Sequence, residues 1–417
     1  MRKNPLKNYL SKRAITGPWR LEGDSGDLFA GCVVIPALGE SQRLFQTLDS
    51  LAANCPEQLA RFLAVVVVNH REDADEEEKL DNAKTLARLR LLKSPLRLAF
   101  ADAASKGLEL SATAGGVGLA RRIGMDLALA RLQEGAVLVC LDADTLVEPG
   151  YLQAISHHFA SCSAGGAVIP FCHQPGASPL EERAITLYEL FLRHYVLGLQ
   201  KAGSPYAFHN VGSAMACTAE AYLKMGGMNS RRAGEDFYFL QQLQRTAGIA
   251  TLSGTTVHPA ARSSHRVPFG TGKSISRILA LGEESQTFYR ADCFRILGLW
   301  LHLVKKGAAL SATELLLASE QIDPQLAAYL RQAGFEKVWQ RLRDNSSGPT
   351  GLQSAFHGWF DALKTVRLVH HLSQELPRCR ADQSLPELFR LCGLAPVQGE
   401  LAQLQLLRVM QNQSHIN

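Results

Sequence analysis

Two aspartates one residue apart are the clearest chemical feature of this sequence. Asp142 and Asp144 follow the apolar run 137–141, which predicts a strand buried on both faces. Residues i and i+2 of a strand point the same way, so the two carboxylates are predicted to share one target. A hard divalent cation, held by one or two carboxylates and by substrate phosphates, fits the end of such a strand. From this stretch alone, an ordinary turn containing two aspartates is an equally good interpretation.

A glycine turn and two arginines precede this strand. The turn 115–118 leads into a helix with apolar residues every three or four positions, and backbone N–H groups at such a helix start face an anion. Gly118 is therefore a candidate phosphate contact. Arg121 and Arg122 lie in the first turn, where one can meet phosphate while the other is solvated. The GxGxxG spacing of a dinucleotide site is absent.

The elements that must position these residues alternate between strand and helix. Buried strands are predicted at 31–36 and 64–68, a weaker one at 97–102, and a helix between the first two, capped by Ser41. Strand, loop and helix in this order open a βαβ unit of an α/β domain. Asn69 follows the second strand and Asp102 ends the third.

Further strands are predicted beyond residue 144. They cover 166–171 and 255–259, and the small residues of 210–217 are typical of backbone that passes close to a ligand. Glu235 and Asp236 start a helix, where their plain role is to stabilise the helix dipole. From residue 273 to 417 the pattern is helical without a chemical motif. The chain is thus predicted to have an arm at 1–30, an α/β domain at 31–272 and a helical accessory domain at 273–417.

Composition limits the partners. Lys and Arg outnumber Asp and Glu by 44 to 39, which is too mild an excess to indicate nucleic acid. The nine cysteines show no metal-type spacing and indicate reduced thiols in a cytosolic protein. The start lacks a secretory signal, and no stretch reaches the roughly 18 to 20 apolar residues of a membrane span. The segment 184–199 is interpreted as a buried helix or, alternatively, an interfacial one, so peripheral contact with the inner face of a membrane stays open.

Taken together, these pieces resemble the family-2 glycosyltransferases of GT-A fold over residues 31–270. Pro36, Ala37 and Glu40 are similar to the end of the family's opening strand, whereas Leu38 and Gly39 depart from it. The resemblance implies a Rossmann-like, nucleotide-diphospho-sugar transferase fold with a mixed sheet, flanking helices and a C-terminal helical region. It also implies a hexosyltransferase that uses a nucleotide-diphosphate sugar and acts on an acceptor hydroxyl.

The resemblance assigns roles to single residues. Asp142-Ala143-Asp144 resembles the metal-binding Asp-X-Asp, with Asp144 as the first ligand of Mn²⁺ or Mg²⁺ and Asp142 as a second ligand or ribose contact. Glu235 and Asp236 resemble the catalytic Glu-Asp pair of inverting enzymes, whose aspartate is the base, and His258 resembles a further metal ligand. The remaining nucleotide-sugar contacts implied are Pro36, Ala37, Glu40, Asn69, Asp102, Gly118, Arg121 and Arg266. The family's base-reading Asp-Asp-Gly-Ser type of motif is replaced by Asn69-His70-Arg71, so the nucleotide base stays open, and Asp102 is the candidate to supply the missing carboxylate.

Several functions remain in competition at this point. A retaining GT-A enzyme that makes a small glycoside, a nucleotidyltransferase, and a non-catalytic sugar-nucleotide-binding protein are the alternatives. The acceptor is a saccharide, a lipid-linked molecule or a small molecule, because specificity lies in loops and in the helical tail.

Overall fold

The apolar runs of the sequence form the middle of one large sheet. The computed structural model of the chain describes residues 5–113, 115–263 and 270–412. The strands are β1 (Leu21–Gly23), β2 (Phe29–Ala37), β3 (Phe62–Asn69), β4 (Arg97–Ala103), β5 (Leu132–Cys140), β6 (Leu146–Val147), β7 (Gly166–Val168), β8 (Met215–Thr218), β9 (Ile249–Thr251) and β10 (Val257–His258).

Eight of these strands form a mixed sheet in the order β1-β4-β3-β2-β5-β8-β7-β9, and β6 pairs with β10. The four central strands β2, β3, β4 and β5 are parallel, whereas β1 and β8 run antiparallel to their neighbours. Every residue of β3 is buried, as expected of a strand covered on both faces. Because the four parallel strands end at one edge, Glu40, Asn69, Asp102 and Asp142 are brought to the same side of the sheet.

Most other regular elements of the described residues are α-helices. They are α1 (Pro5–Lys12), α2 (Leu44–Ala52), α3 (Pro56–Arg61), α4 (Glu76–Leu91), α5 (Val117–Ala128), α6 (Tyr151–Ser161), α7 (Pro179–Lys201), α8 (Ala219–Met225), α9 (Glu235–Ala247), α10 (Thr271–Leu281), α11 (Ala291–Lys306), α12 (Ala312–Ile322), α13 (Pro324–Gln332), α14 (Phe335–Asp344), α15 (Gly348–Trp359), α16 (Ala362–Leu372), α17 (Ala381–Cys392) and α18 (Glu400–Asn412). Helix α5 packs directly on the sheet at Gly124, where a Cβ would lie 2.4 Å from Val34 Cγ1.

The chain divides into two compact units. Unit 1 comprises the described parts of 1–182, 210–276 and 409–417, and unit 2 comprises 183–209 and 277–408. All ten strands belong to unit 1, which confirms the predicted mixed α/β class. The predicted domain limits at residues 30 and 272 stay a prediction.

Unit 2 is helical and has an aromatic core. Trp300, Phe335, Trp339, Phe356 and Phe360 are buried there, and the rings of Trp300 and Phe335 lie 5.2 Å apart, edge to face. The C-terminal helical region predicted from the sequence is confirmed.

Most of the segment 184–199 lies in the buried part of helix α7. Its charged residues Glu189 and Arg193 are fully buried and pair at 2.8 Å, and Arg408 donates to both oxygens of Glu189 at 2.7 and 2.9 Å. Ionic groups in this segment are thus balanced by protein partners. No helix in the described residues is long and apolar enough to cross a membrane.

Three local predictions were wrong in detail. Ser41 does not cap α2, which starts after Arg43, because the Ser41 amide donates to Asp81 at 3.0 Å and its hydroxyl also binds Asp81. The strand predicted at 166–171 ends at Val168, since Pro170 has no N–H to continue a ladder. The strand predicted at 255–259 is reduced to β10, because Glu148 accepts from the amide of Thr256.

Candidate active site

The Asp-Ala-Asp segment forms a turn directly after β5. Ala143 is buried, whereas the side chains of Asp142 and Asp144 are 36% and 21% exposed, so both carboxylates reach the surface of the same turn. The turn is fixed from two sides: the hydroxyl of Thr47 donates to the Ala143 carbonyl at 3.0 Å, and the Gln174 amide donates to the Asp144 carbonyl at 3.0 Å. Asp142 and Asp144 therefore lie in a turn, and this conformation still leaves both carboxylates accessible to a cation.

A buried arginine joins this turn to helix α9. The side chain of Arg121 is 2% exposed, its Nη2 donates to Asp142 Oδ1 at 2.5 Å, and its Nη1 donates to Glu235. Burial lowers the pKa of Arg121, but the carboxylates of Asp142 and Glu235 outweigh it, so the pKa is raised and the charge is kept. Sequence reasoning placed Arg121 against phosphate, but this geometry places its two terminal nitrogens against carboxylates.

Gly212 explains part of the small-residue segment 210–217. A Cβ at Gly212 would lie 2.5 Å from Arg121 Nη2. The close approach predicted for this segment is therefore to the Arg121 guanidinium of the chain itself, and no ligand is needed to account for it.

The catalytic candidates stand at the start of α9. Gly234 has a φ of 68°, which favours glycine, and the Asn229 amide donates to the Glu235 carbonyl at 2.8 Å. The Phe237 amide donates to Asp236 Oδ1 at 2.7 Å. Burial raises the pKa of Asp236, with the positive charge of Arg121 opposing and the negative charge of Asp142 adding to the rise. The pKa of Glu235 is likewise raised by burial, and Arg121 again opposes.

A second arginine, which sequence reasoning missed, holds the other aspartate. Arg262 Nε donates to Asp144 Oδ2 at 2.9 Å. Its Nη2 lies 2.8 Å from the same oxygen and donates to Glu40. Burial raises the pKa of Asp144, and Arg262 opposes that rise. The only sequence signal was the basic composition of 262–266, from which Arg266 was chosen. Arg266 lies outside the described residues.

The polar residues at the ends of β3 and β4 are used by the chain itself. The Asn69 amide donates to the carbonyls of Val67 at 3.0 Å and Ala37 at 3.3 Å. Asp102 accepts from the amides of Ala104 and Ser105 at 3.0 and 2.8 Å, which is a turn-stabilising role. Both residues lie at the sheet edge as expected, and their contact with a nucleotide stays a prediction.

Pro36, Ala37 and Gly118 lie at backbone positions that are tightly packed. Pro36 and Ala37 are the last two residues of β2, beside Val67 and Val68 of β3. A Cβ at Gly118 would lie 2.6 Å from the carbonyl oxygen of Arg231, so the start of α5 is covered by the segment that precedes α9. That contact accounts for a small residue at 118 without a phosphate.

The carbonyl of His258 accepts from the same Gln174 amide as the Asp144 carbonyl, at 2.6 Å, but its ring faces other groups. Its Nδ1 lies 3.0 Å from the Cys172 carbonyl oxygen and its Nε2 lies 3.6 Å from Glu148 Oε1. Within the described residues no three His, Cys, Asp or Glu side chains group as metal ligands. A hard cation that takes one or two carboxylates and completes its shell with phosphates needs no such group, so Asp144 and Asp142 fit it, and the role of His258 stays a prediction.

The Asp-Ala-Asp turn at the sheet edge and the Glu-Asp pair at the start of α9 are the two features on which the resemblance to family-2 glycosyltransferases mainly depends. Residues 137–281 match the family model described as Glycosyl transferase family group 2. Within these residues the chain is therefore similar to a glycosyltransferase family 2 domain, which confirms the predicted resemblance, fold class and enzyme class. The matched residues include the end of β5 (137–140), the Asp-Ala-Asp turn and the start of α9. A comparison with curated protein sequences found no match.

Solved structures resemble the chain more distantly. S. aureus TarS 1-349 in complex with UDP-GlcNAc is 14% identical, covers 78% of this chain and 90% of its own, and has a TM-score of 0.41. The mannosyltransferase PcManGT from Pyrobaculum calidifontis, in complex with GDP-Man and Mn²⁺, is 15% identical, covers 98% of this chain and 94% of its own, and has a TM-score of 0.39. At such TM-scores these similarities carry no argument about the site.

Proposed function

We propose that this protein is a family-2 glycosyltransferase that moves a hexosyl group from a nucleoside-diphosphate sugar to an acceptor hydroxyl with inversion. The observation that carries the proposal is the Arg121 guanidinium, which binds Asp142 beside the metal candidate and Glu235 beside the base candidate. Two stretches nearly a hundred residues apart in the sequence are thereby held together in unit 1. A cleft for one donor and one acceptor needs such a fixed relation between its two halves.

Asp236 is the proposed general base. An acceptor hydroxyl becomes a good nucleophile only when its proton is removed in the transition state, and a positioned carboxylate supplies roughly 10² to 10⁴ in rate. A pKa raised by burial makes the Asp236 carboxylate a better proton acceptor than an ordinary surface aspartate. Attack on the face opposite the leaving diphosphate inverts the anomeric centre.

Asp144 and Asp142 would hold the divalent cation that accompanies the donor diphosphate. When bound, Mn²⁺ or Mg²⁺ neutralises the charge that develops as the nucleoside diphosphate departs. The protein's own part is to present the Asp144 carboxylate at a fixed place, since Thr47 and Gln174 hold the backbone of the turn. Glu235 acts through Arg121 and is a positioning residue.

The test compares Asp236→Asn with the exposed control Asp49→Asn. Binding of UDP and GDP sugars in the presence of Mn²⁺ is measured by calorimetry, and turnover is followed as released nucleoside diphosphate with a mixture of saccharide, lipid-linked and small-molecule acceptors. We expect Asp236→Asn to bind the donor as the unmodified protein does and to lose a factor of about 10² to 10⁴ in turnover.

The products separate the competing functions. Released pyrophosphate would indicate nucleotidyl transfer, retention at the anomeric carbon by NMR would exclude the inverting mechanism, and full turnover in Asp236→Asn would remove that residue from its role. Binding without any transfer in the unmodified protein would favour a non-catalytic sugar-nucleotide-binding protein.

A further inference from the structure

A positive side chain already sits where the proposed cation would bind. Arg262 places Nε and Nη2 at 2.9 and 2.8 Å from the same oxygen of Asp144, and Nη2 also reaches Glu40. The Glu40 side chain is 7% exposed and that of Asp144 is 21% exposed, so two mostly buried carboxylates lie on either side of the same guanidinium. Such a pair repels itself unless a cation lies between its members.

The two arginines of the site differ in how freely they can change partners. The side chain of Arg121 is 2% exposed and lies between two carboxylates of the rigid turn and α9, whereas that of Arg262 is 25% exposed and lies after the short strand β10. Arg262 is therefore the arginine that an arriving ligand can reach. Guanidinium groups bind phosphate oxygens as readily as carboxylates.

We propose that Arg262 holds the place of the divalent cation on Asp144 in the empty enzyme and transfers its contact to the donor diphosphate when cation and donor bind together. The proposal rests on the proposed function, because it takes a nucleoside diphosphate as the ligand. A cation alone must displace the guanidinium and binds weakly. With the diphosphate present, the displaced guanidinium binds phosphate oxygens instead of Asp144. Each of the two ligands, cation and nucleotide, therefore raises the affinity of the protein for the other.

A purely structural Arg262 would behave in the opposite way. If its role were to orient Asp144, its removal would lower the affinity for the cation or leave it unchanged. If it competes with the cation, its removal raises that affinity, since Asp144 is then free. The sign of the change therefore separates the two roles without an activity measurement.

The experiment uses the full chain and measures Mn²⁺ alone by electron paramagnetic resonance, and UDP and GDP in the presence of saturating Mn²⁺ by calorimetry. We expect Arg262→Gln to bind Mn²⁺ about tenfold more tightly, the effect of losing one charge-assisted contact, and to bind the nucleotide that the unmodified protein prefers at least about tenfold more weakly. Arg97→Gln is the matched control, because Arg97 also donates to a carboxylate of unit 1, Asp24, but lies at the start of β4 and not at the strand ends that carry the site.

A second variant keeps the result interpretable. In Arg262→Gln combined with Asp144→Asn, the gain in Mn²⁺ affinity should vanish, and circular dichroism checks that each variant is folded. Unchanged or weaker Mn²⁺ binding in folded Arg262→Gln overturns the proposal, as does a gain that survives the loss of Asp144. Absence of UDP and GDP binding to the unmodified protein with Mn²⁺ would instead overturn the proposed function.

Discussion

Replacement of Arg121 by methionine tests the physical core of the site. The substitution keeps an unbranched side chain of similar length but removes the charge that lies between Asp142 and Glu235. The Glu235 side chain is 5% exposed and that of Asp142 is 36% exposed, so water can hydrate Asp142 but not Glu235. Most of the cost should therefore arise at Glu235.

The magnitude follows from this difference in burial. Loss of one partner of a buried ion pair costs roughly 3 to 5 kcal/mol in the free energy of unfolding. Glu235→Gln alone should cost about 1 to 3 kcal/mol, because Arg121 keeps Asp142. The double variant should cost less than the sum of the two, by about 2 kcal/mol, since no buried charge is left without a partner. Burial raises the pKa of Glu235 to about 7 even beside Arg121, and removal of Arg121 raises it further. The cost of Arg121→Met should therefore grow as the pH rises above 7, where the unpaired buried carboxyl would have to ionise.

The assay is urea unfolding followed by hydrogen exchange of peptides from α5 and β5, which report on unit 1. Arg61→Met, an exposed site, is the control and should change the free energy of unfolding by no more than about 0.5 kcal/mol. The reasoning is refuted if Arg121→Met costs less than about 1 kcal/mol, or if the effects of Arg121→Met and Glu235→Gln simply add.

Three further predictions concern other groups. Because the pKa of Asp236 is raised above its ordinary 3.8, kcat/KM should fall with acid pH along a limb centred above that value, and a limb at or below it would contradict the assignment. Asp126 accepts from the hydroxyls of Tyr9 and Tyr222 at 2.9 and 2.7 Å, so Asp126→Ala should release helix α1 and speed tryptic cleavage at Lys12 at least about tenfold; an unchanged cleavage rate would contradict it. Burial lowers the pKa of His194 from 6.5 to about 3, so between these pH values the unfolded chain binds a proton that the folded chain does not. The free energy of unfolding should therefore fall by up to about 1.4 kcal/mol per pH unit as the pH drops from 6.5 to 3. Hydrogen exchange of α11 peptides should lose this slope in His194→Gln, and an identical slope would show that other groups cause it.

Features governed by local patterning were predictable from the sequence. The apolar runs that became β2, β3 and β5 are buried on both faces, so their strand character needed no partner information. The prediction that Asp142 and Asp144 lie together followed from the alternation of side chains along a strand, in which residues i and i+2 point the same way. The start of α9 at Glu235 also followed from the glycine and acidic residues at that point.

Features that depend on distant side chains were not predictable. Glu235 had a sufficient local explanation in the helix dipole, yet it binds Arg121, more than a hundred residues earlier. Gly212 was explained by a ligand because its true neighbour, the guanidinium of Arg121, comes from another element. Arg262 carried no period or spacing that distinguishes it from a solvated arginine. Partner choice between long side chains is decided by the packed structure and leaves no pattern in the sequence.

The inclusion of 183–209 in the helical unit is another long-range property. The residues of helix α7 by themselves predict a buried amphipathic helix. Its buried Glu189, however, forms an ion pair with Arg408, which lies at the other end of unit 2 in the sequence. Sequence separation gave no indication of that pairing.

The most direct test of the central claim is the fate of the donor in Asp236→Asn with Mn²⁺ present, compared with the unmodified protein. Donor affinity should be equal in the two proteins, while release of nucleoside diphosphate in the presence of acceptor falls by about 10² to 10⁴. Equal release from both proteins would contradict the assignment of Asp236 as the base that activates the acceptor.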